Sequence, residues 1–414
     1  PIIPIEANYF ANDRSRNYMA YDYAYNMLSS CKPDAILFTS GDNDTFPLWA
    51  IQAVYDFRRD VRVVNFSLLN TDWYNWQLKH FQNVPISLDD DQILWDTYTL
   101  PDGTEIPKPD KPFFDRARNR QMFLIPMPVD GQTVKVASMM LDEIILTNKW
   151  KYPIYFSSAA GEMRSSPLKL TDRCYRDGLI LRLSPDQARM AFDEPSTDSL
   201  LYKVYKFRNL DDTLVAQDEN ATGIALGYPE KILDYQSYLM RKGDTARADT
   251  LLEKFCRTIP FYWRLRLTQI DRCRQRGDTA RVDAIRQDLL AYLNGFLDRN
   301  PGNIFFYQFL GLVHYTSGDR TLAEQYLTEA WAMNHDKEPT FRALLALYAE
   351  QRRPTDMIRV ATEYKDYQEN DPMANEVIRS AEMLMRPLEQ PGDSAATAPA
   401  SPVPAPVRIT GGGR

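Results

Sequence analysis

The sequence predicts an α/β domain with a mostly parallel sheet, followed by an all-α helical repeat domain and a disordered tail. Three observations predict this order. Residues 35–83 alternate short apolar runs with longer amphipathic segments. A short string then recurs in the last third of the chain, and the end is rich in Pro, Ala, Ser and Gly. We therefore expect domains at residues 1–225 and 226–387 and a disordered tail at 388–414.

The composition of the 414-residue chain is that of a globular protein, with 44% hydrophobic and 25% charged residues. A net charge of -7 without a Lys/Arg block argues against a nucleic-acid-binding surface. The 4 cysteines have no CxxC spacing and there are only 3 histidines, so no zinc site is indicated. No stretch approaches the ~20 apolar residues of a membrane span. Because the chain begins at Pro1 and not Met, we expect it to be a piece of a longer protein.

The first α/β elements follow from the segment at residues 35–49, AILFTSGDNDTFPLW. Ala35 to Thr39 is apolar and uncharged, as in a buried central strand. We expect the next helix at 46–57, with Thr45 as its N-cap and Pro47 in its first turn. A helix at 12–30, a second strand at 61–70 and a third helix capped by residues 70–72 complete an α-β-α-β-α order.

Further strands are predicted downstream. Residues 85–130 are rich in Pro and Asp and predict a long ordered loop region. Residues 132–148 predict a strand that runs into a helix. The segment at 151–158 predicts a third parallel strand, and 178–183 a fourth.

The last third has a helical repeat. GDTARAD at 243–249 recurs as GDTARVD at 277–283, a separation of 34 residues, and a further copy starts at Gly318. A 34-residue period in helical sequence is typical of tetratricopeptide repeats. The last copy fits that pattern at Tyr307, Leu310, Gly311, His314, Ala323, Leu327 and Ala330.

Polar residues follow the first two strands. One interpretation of Asp42, Asn43, Asp44 and Thr45 is a site for a sugar or a divalent cation, because hard oxygen ligands suit Mg, Ca or Mn. The alternative is a turn whose acids complement the dipole of the next helix. The other predicted binding residues are Asn70, Asp72 and Trp73 after the second strand, and Arg14 before the first helix. The alternatives are core packing for Trp73 and a helix cap with solvated charges for the segment that contains Arg14.

No catalytic residue can be assigned from the sequence. It has no GxSxG, P-loop, HExxH or post-strand GxGxxG pattern, so an ordinary hydrolase, kinase or dehydrogenase is not indicated. We expect no cofactor, with a divalent cation at Asp42 and Asp44 as the alternative.

Three segments carry a family resemblance: NDRSRNYMAYDYAYNML at 12–28, AILFTSGDNDTFPLW at 35–49 and DVRVVNFSLLNTDWY at 60–74. They resemble the segment that follows the membrane region in bacterial family 117 glycosyltransferases, protein O-mannosyltransferase-like proteins of Bacteroidota. The resemblance is close over residues 8–80 and looser through 139–158 and 177–183. It implies a membrane enzyme that moves a sugar from a lipid-linked donor to a protein hydroxyl in the periplasm.

The resemblance also implies that the membrane helices and the catalytic loop lie outside this chain. We therefore expect a soluble C-terminal part of such an enzyme, tethered through the parent's membrane region, whose repeats bind the acceptor protein or another partner. A non-catalytic repeat scaffold is the second hypothesis. A metal-dependent hydrolase using Asp42, Asp44 and Asp72 is the third.

Overall fold

The computed structural model describes residues 9, 12–93, 97–99, 105–107, 136–158, 163–164, 166, 168–188, 190–335, 338–369 and 371–385. It divides into a compact unit at Asn12–Pro260 and a second unit that begins at Phe261. The expected tail at 388–414 lies outside the described residues. The expected boundary between residues 225 and 226 stays a prediction.

The first unit contains a five-stranded sheet in the order β2-β1-β5-β7-β6. Its strands are β1 Ile36–Thr39, β2 Arg62–Asn65, β5 Ile154–Phe156, β6 Cys174–Asp177 and β7 Ile180–Leu183. A separate antiparallel pair, β3 Thr97–Thr99 and β4 Glu105–Pro107, falls within the predicted loop region at 85–130.

The prediction of a mostly parallel sheet is wrong. Strand β1 pairs in parallel with β2 and with β5, as predicted, but β7 runs antiparallel to both β5 and β6. The sheet is therefore mixed. The segment predicted as a fourth parallel strand is the second arm of a hairpin, because Gly178 at φ +66° lets the chain turn back directly after β6.

Helices cover this sheet and join its strands. In chain order they are α1 Met19–Ser30, α2 Asp42–Tyr55, α3 Asp72–Phe81, α4 Asp90–Ile93, α5 Val136–Asn148, α6 Leu170–Arg173, α7 Glu194–Ser199, α8 Glu219–Ala225, α9 Gly227–Lys242 and α10 Thr245–Thr258. A 3₁₀ turn at Leu68–Asn70 follows β2, and a π-helical turn at Leu200–Val204 follows α7. The described part of 132–148 is helix α5, and residues 132–135, where a strand was expected, lie outside the described residues.

The core of the first unit contains stacked phenylalanine rings from its parallel strands. Phe38 of β1 stacks on Phe66 and on Phe156 of β5, with ring centroids 5.4 and 5.3 Å apart. All three rings are buried. The apolar run that predicted β1 is therefore explained by cover on both faces.

Helix α2 begins four residues earlier than predicted. It starts at Asp42, and Gly41 at φ +78° makes the turn out of β1. Thr45 is therefore not the N-cap, and Pro47 lies inside the helix. Asp42 and Asp44 fall in the first helical turn, where carboxylates complement the helix dipole.

The second unit is helical throughout its described residues. Its helices are α11 Trp263–Gln275, α12 Thr279–Arg299, α13 Ile304–Ser317, α14 Arg320–Met333, α15 Glu338–Glu350, α16 Pro354–Lys365 and α17 Pro372–Met385. Consecutive helices pack against one another.

The recurring Gly-Asp dipeptide makes the turn between paired helices. Gly277 and Gly318 have φ of +75° and +87° and end one helix in the left-handed conformation. The following Asp278 and Asp319 cap the next helix by accepting hydrogen bonds from the backbone N–H of Arg281 and Leu322. Gly243 and Asp244 make the same turn between α9 and α10 of the first unit. The repeated string is thus a helix stop followed by a helix start.

Candidate functional site

The candidate site lies where the three parallel strands end. Because β1, β2 and β5 are parallel, the residues that follow them meet at one edge of the sheet, here called the strand-end edge. The first turn of α2 follows β1, the 3₁₀ turn and α3 follow β2, and Ser157 follows β5. Most of the predicted binding residues therefore belong to this edge.

Asp44 joins three elements at the strand-end edge. Its Oδ1 accepts a hydrogen bond from the Tyr23 hydroxyl of α1, and its Oδ2 accepts one from Ser157 Oγ at 2.7 Å. The backbone N–H of Ser40 lies 3.4 Å from Oδ2. Burial and the nearby Asp44 charge raise the pKa of Tyr23 well above its ordinary value. Both carboxylate oxygens are thus engaged within the protein.

Thr45 is also engaged internally. It is buried, and its Oγ1 donates a hydrogen bond to the Gly41 carbonyl at 2.7 Å. The same oxygen accepts one from Asn65 Nδ2 at 2.7 Å and lies 2.8 Å from Thr39 Oγ1. Thr45 therefore joins α2 to the ends of β1 and β2, which is a structural role.

Lys231 approaches the same edge from α9. Its Nζ donates a hydrogen bond to the Ser157 carbonyl at 3.2 Å. Burial, together with the charge of Arg176, lowers the pKa of Lys231 to about 8, although the Asp44 carboxylate opposes this shift. The edge thus holds a carboxylate that accepts a hydrogen bond from the Ser157 hydroxyl and a poorly solvated ammonium group that donates one to the Ser157 carbonyl.

Sequence reasoning missed Tyr23, Ser157 and Lys231. The position of Ser157 directly after a predicted strand was a usable signal, because it matches that of Ser40 after β1. Tyr23 and Lys231 reach the edge only through tertiary packing, so their local sequence gives no indication of it.

Two predicted residues after β2 make local contacts. Asn70 Oδ1 accepts a hydrogen bond from the backbone N–H of Ala137 at 3.0 Å and so caps the first turn of α5. Asp72 Oδ1 accepts one from the backbone N–H of Trp73 at 2.7 Å. Both Asn70 and Asp72 are half-buried.

Arg14 pairs with a different element. Its guanidinium lies 3.1 Å from the carboxylate of Asp218, and both side chains are largely exposed. Asp218 caps helix α8. The structure therefore gives Arg14 a salt bridge to a helix cap.

A chain of aromatic rings links the helices that follow β1 and β2. Phe46 stacks on Trp49 at 5.7 Å, Trp49 lies 6.4 Å from Tyr74, and Tyr74 contacts Trp73 at 5.7 Å. Phe46 and Trp73 at the two ends are 50% and 52% exposed. An exposed ring therefore lies at each end of this aromatic chain.

The exposed groups at this edge can bind by hydrogen bonding and ring contact. Asp42, Asn43 and Trp73 are exposed, whereas Asp44 and Thr45 are committed to internal bonds. Within the described residues, no group of three or more His, Cys, Asp or Glu could hold a metal ion. The geometry therefore gives no support to a metal centre built on Asp42, Asp44 and Asp72.

Comparison with known proteins gives one family match. A family model described as TMEM260-associated domain 2 matches residues 20–100 and 116–200, which is less than half of the chain. No curated protein matches the chain. A crystal structure of a thermophilic TPR protein from Thermus thermophilus is similar, with 21% identity and a TM-score of 0.29, over 40% of this chain and 87% of that one.

None of the helices that the structure describes has the length and apolar character needed to cross a membrane.

Proposed function

We propose that this chain is the extracytoplasmic C-terminal part of a membrane protein O-glycosyltransferase related to family 117, and that it binds the acceptor protein or a partner polypeptide. The observation that carries the proposal is the match to TMEM260-associated domain 2 over residues 20–100 and 116–200. Those segments contain β1, β2, β5, β6 and β7 with most of the strand-end edge. They also contain the strings at 35–49 and 60–74 that resemble the glycosyltransferase family.

Polypeptide binding is assigned to the second unit. Its helices pack consecutively and turn at Gly-Asp dipeptides. Stacked helix pairs of this kind form extended surfaces that suit a polypeptide in an extended conformation. The acceptor protein is therefore the proposed ligand of these helices, and the lipid-linked sugar donor binds the membrane region of the parent protein in the periplasmic leaflet.

The strand-end edge is proposed as a second acceptor contact. Asp44 and Thr45 hold helix α2 in place, and Trp73 presents a half-exposed ring next to Asp72. Transfer of the sugar itself is assigned to the parent's membrane region.

The proposal is tested in the full-length parent protein in its native bacterium. We expect deletion of residues 261–385 to abolish O-glycosylation of endogenous proteins, measured by mass spectrometry of glycopeptides, at unchanged membrane level of the parent. Trp73→Ala should lower glycosylation several-fold. Phe81→Ala is the matched control, because Phe81 is an exposed ring at the other end of the same helix. Unchanged glycosylation in both the deletion and Trp73→Ala would refute the proposal.

A non-catalytic repeat scaffold is the second candidate function, favoured by the repeated Gly-Asp helix turns. It predicts that Trp73→Ala has no effect, whereas deletion of residues 261–385 removes binding of a partner without changing glycosylation. The glycopeptide measurement therefore separates the two functions.

A further inference from the structure

A cavity opens beside the amino ends of strands β5 and β6. It has a volume of about 310 Å³, and the described residues that line it are Ile145, Leu146, Lys149, Trp150, Leu168 and Arg173. It is here called the Trp150 pocket. Leu146 and Trp150 are 51% and 41% exposed, so the pocket is open to solvent. Its volume is at the small end of the range for ligand-binding pockets and suits an aromatic ring or a short aliphatic chain.

The Trp150 pocket lies at the opposite edge of the sheet from the strand-end edge. Part of its lining comes from the end of α5 and the residues just after it, which precede β5. The rest comes from α6 and the segment before it, which precede β6. Strand β6 runs in the same direction as β5, because both pair antiparallel with β7. The pocket is therefore at the edge where these two strands begin, and it shares no residue with the candidate site.

Two cations line the Trp150 pocket. The guanidinium of Arg173 lies 5.1 Å from the centroid of the Trp150 ring, and its Nε donates a hydrogen bond to the Ser184 carbonyl at 3.2 Å. Its Nη2 donates one to the Pro185 carbonyl, so the guanidinium is held in place by neutral acceptors. Lys149 is exposed. Within the part of the chain that the structure describes, neither Lys149 nor Arg173 forms a salt bridge, although the chain has a net charge of -7.

The ring of Trp150 is placed by an uncommon backbone conformation. Lys149 and Trp150 follow the end of α5 with φ of +44° and +63°. Glycine or asparagine usually takes the left-handed conformation after a helix, and a bulky residue adopts it rarely. Such conformations persist where the surrounding structure requires them, and they cluster at ligand-binding sites. Here the conformation supplies an aromatic wall to the pocket.

The polar side chains that line the Trp150 pocket are all hydrogen-bond donors. Lys149, Arg173 and the indole N–H of Trp150 donate and cannot accept, and the other described lining residues are aliphatic. The hydroxyl groups of a neutral sugar also need acceptors, and a cationic ligand needs a carboxylate, so neither matches this lining. A guanidinium and an ammonium together match an oxyanion. The aliphatic side chains and the indole ring offer apolar surface to the rest of such a ligand.

We propose that the Trp150 pocket binds an organic anion, a carboxylate or phosphate group on a compact apolar body such as an aromatic ring. The apolar body lies against the Trp150 ring and the aliphatic side chains, and the oxyanion pairs with Lys149 and Arg173. A ligand of this size buries little surface, so we expect a dissociation constant of about 1 mM for a simple member of the class. The site is independent of the proposed function, because it uses neither the strand-end edge nor the second unit.

The test is fluorine NMR of the full chain labelled with fluorotryptophan, in which Trp150→Phe and Trp73→Phe assign two resonances. Phenylpropionate, a ring that carries a carboxylate, should shift the Trp150 resonance with a dissociation constant of about 1 mM. The resonance of Trp73, which is exposed at the strand-end edge, should not move. Phenylpropanol, with the same ring and no charge, should bind several-fold more weakly. Phenyl phosphate is titrated in parallel, and the tighter of the two anions identifies the preferred oxyanion.

Two neighbouring lysines give a matched pair of variants. Lys149→Glu should weaken the binding of phenylpropionate several-fold, because it removes a cation from the pocket and adds a carboxylate. Lys151→Glu is the control and should bind as wild type does, since Lys151 is also exposed but lies against the Tyr152 ring at 4.8 Å and does not line the pocket. An unchanged Trp73 resonance shows that each variant is folded.

Three results would overturn the proposal. The first is a Trp150 resonance that moves with neither anion at about 10 mM, which is well above the expected dissociation constant, or that moves no more than the Trp73 resonance. The second is equal binding of phenylpropanol and phenylpropionate, which would show that the charge is not recognised. The third is equal binding of phenylpropionate by the Lys149→Glu and Lys151→Glu variants.

Discussion

At the level of single residues, Asp44 uses its charge to hold three elements together. Replacing it by Asn keeps the size but removes the charged acceptor for the Tyr23 and Ser157 hydroxyls. Hydrogen bonds to charged groups contribute about 1.5–3 kcal/mol each, so Asp44→Asn should lower the free energy of unfolding by about 2 kcal/mol or more. Urea unfolding followed by fluorescence at low protein concentration measures this.

The same substitution at Asp42 is the control. Asp42 is exposed in the same helical turn, so Asp42→Asn should change the free energy of unfolding by less than about 0.5 kcal/mol. If both substitutions changed the free energy of unfolding equally, the hydrogen bonds of Asp44 would add nothing to the stabilisation that a carboxylate provides near the helix dipole.

Lys231 gives the strand-end edge a dependence on pH. Its pKa is lowered to about 8 in the folded protein, below the ordinary value of 10.5, so the unfolded chain binds more protons between these values. Stability should therefore rise with pH through this window. Lys231→Met lacks the titrating group. Between about pH 7 and about pH 9, its free energy of unfolding should therefore rise by about 1 kcal/mol less than that of wild type. Urea unfolding at the two pH values measures the difference.

Lys254→Met provides the comparison, because burial also lowers the pKa of Lys254, whose Nζ contacts the Leu201 carbonyl and not Ser157. If wild type and Lys231→Met show the same change between the two pH values, the ammonium of Lys231 is fully solvated and the argument fails.

Among the helices, α13 and α14 pack closely at Gly311. A Cβ built on Gly311 would lie 2.6 Å from Leu327 Cγ and 3.1 Å from the Leu327 backbone nitrogen. Gly311→Ala should therefore force the two helices apart and cost about 2 kcal/mol, since overpacking outweighs the gain in helix propensity. Thermal unfolding measures the loss. Gly302→Ala, where a Cβ meets nothing within 4 Å, should leave the stability nearly unchanged, and a similar loss at both glycines would contradict the packing argument.

The elements that the sequence predicts well are those decided by local chemistry. Strands β1 and β5 are short uncharged runs, the segment of β2 is rich in β-branched residues, and the turns of the repeats are marked by Gly-Asp dipeptides. The direction of β7 was mispredicted because pairing with β5 and β6 depends on tertiary contacts that leave no periodicity in the strand itself. The start of α2 was mispredicted because Asp42 to Thr45 suit a turn and a first helical turn equally well.

The candidate site was predictable only in part, for the same reason. The residues after β1 and β2 could be placed at one edge because parallel strands end together. Which of them face water could not be predicted, because it depends on tertiary partners. Thr45 is buried against the ends of β1 and β2, and Asp44 is bonded to hydroxyl groups from α1 and from the residue after β5.

For the whole molecule, the first compact unit includes the helix pair α9 and α10, although their sequence belongs to the repeat pattern. Phe255 of α10 packs on Phe207 at 5.3 Å, and Arg247 bonds to Glu194 at 3.0 Å and to Asp198 at 2.6 Å. Lys231 of α9 bonds to Ser157. These contacts attach the first helical pair to the α/β elements.

A fragment of residues 12–260 should therefore fold cooperatively, whereas residues 12–226 should not. The shorter fragment loses the partners of Phe207 and Glu194 and exposes the apolar surface that the two helices cover, a loss of many kcal/mol against a total stability of about 5–15 kcal/mol. Thermal unfolding by circular dichroism distinguishes them, with a sharp transition expected for 12–260 alone. A sharp transition of equal midpoint for 12–226 would instead place the domain boundary between residues 225 and 226, where the change in sequence character predicts it.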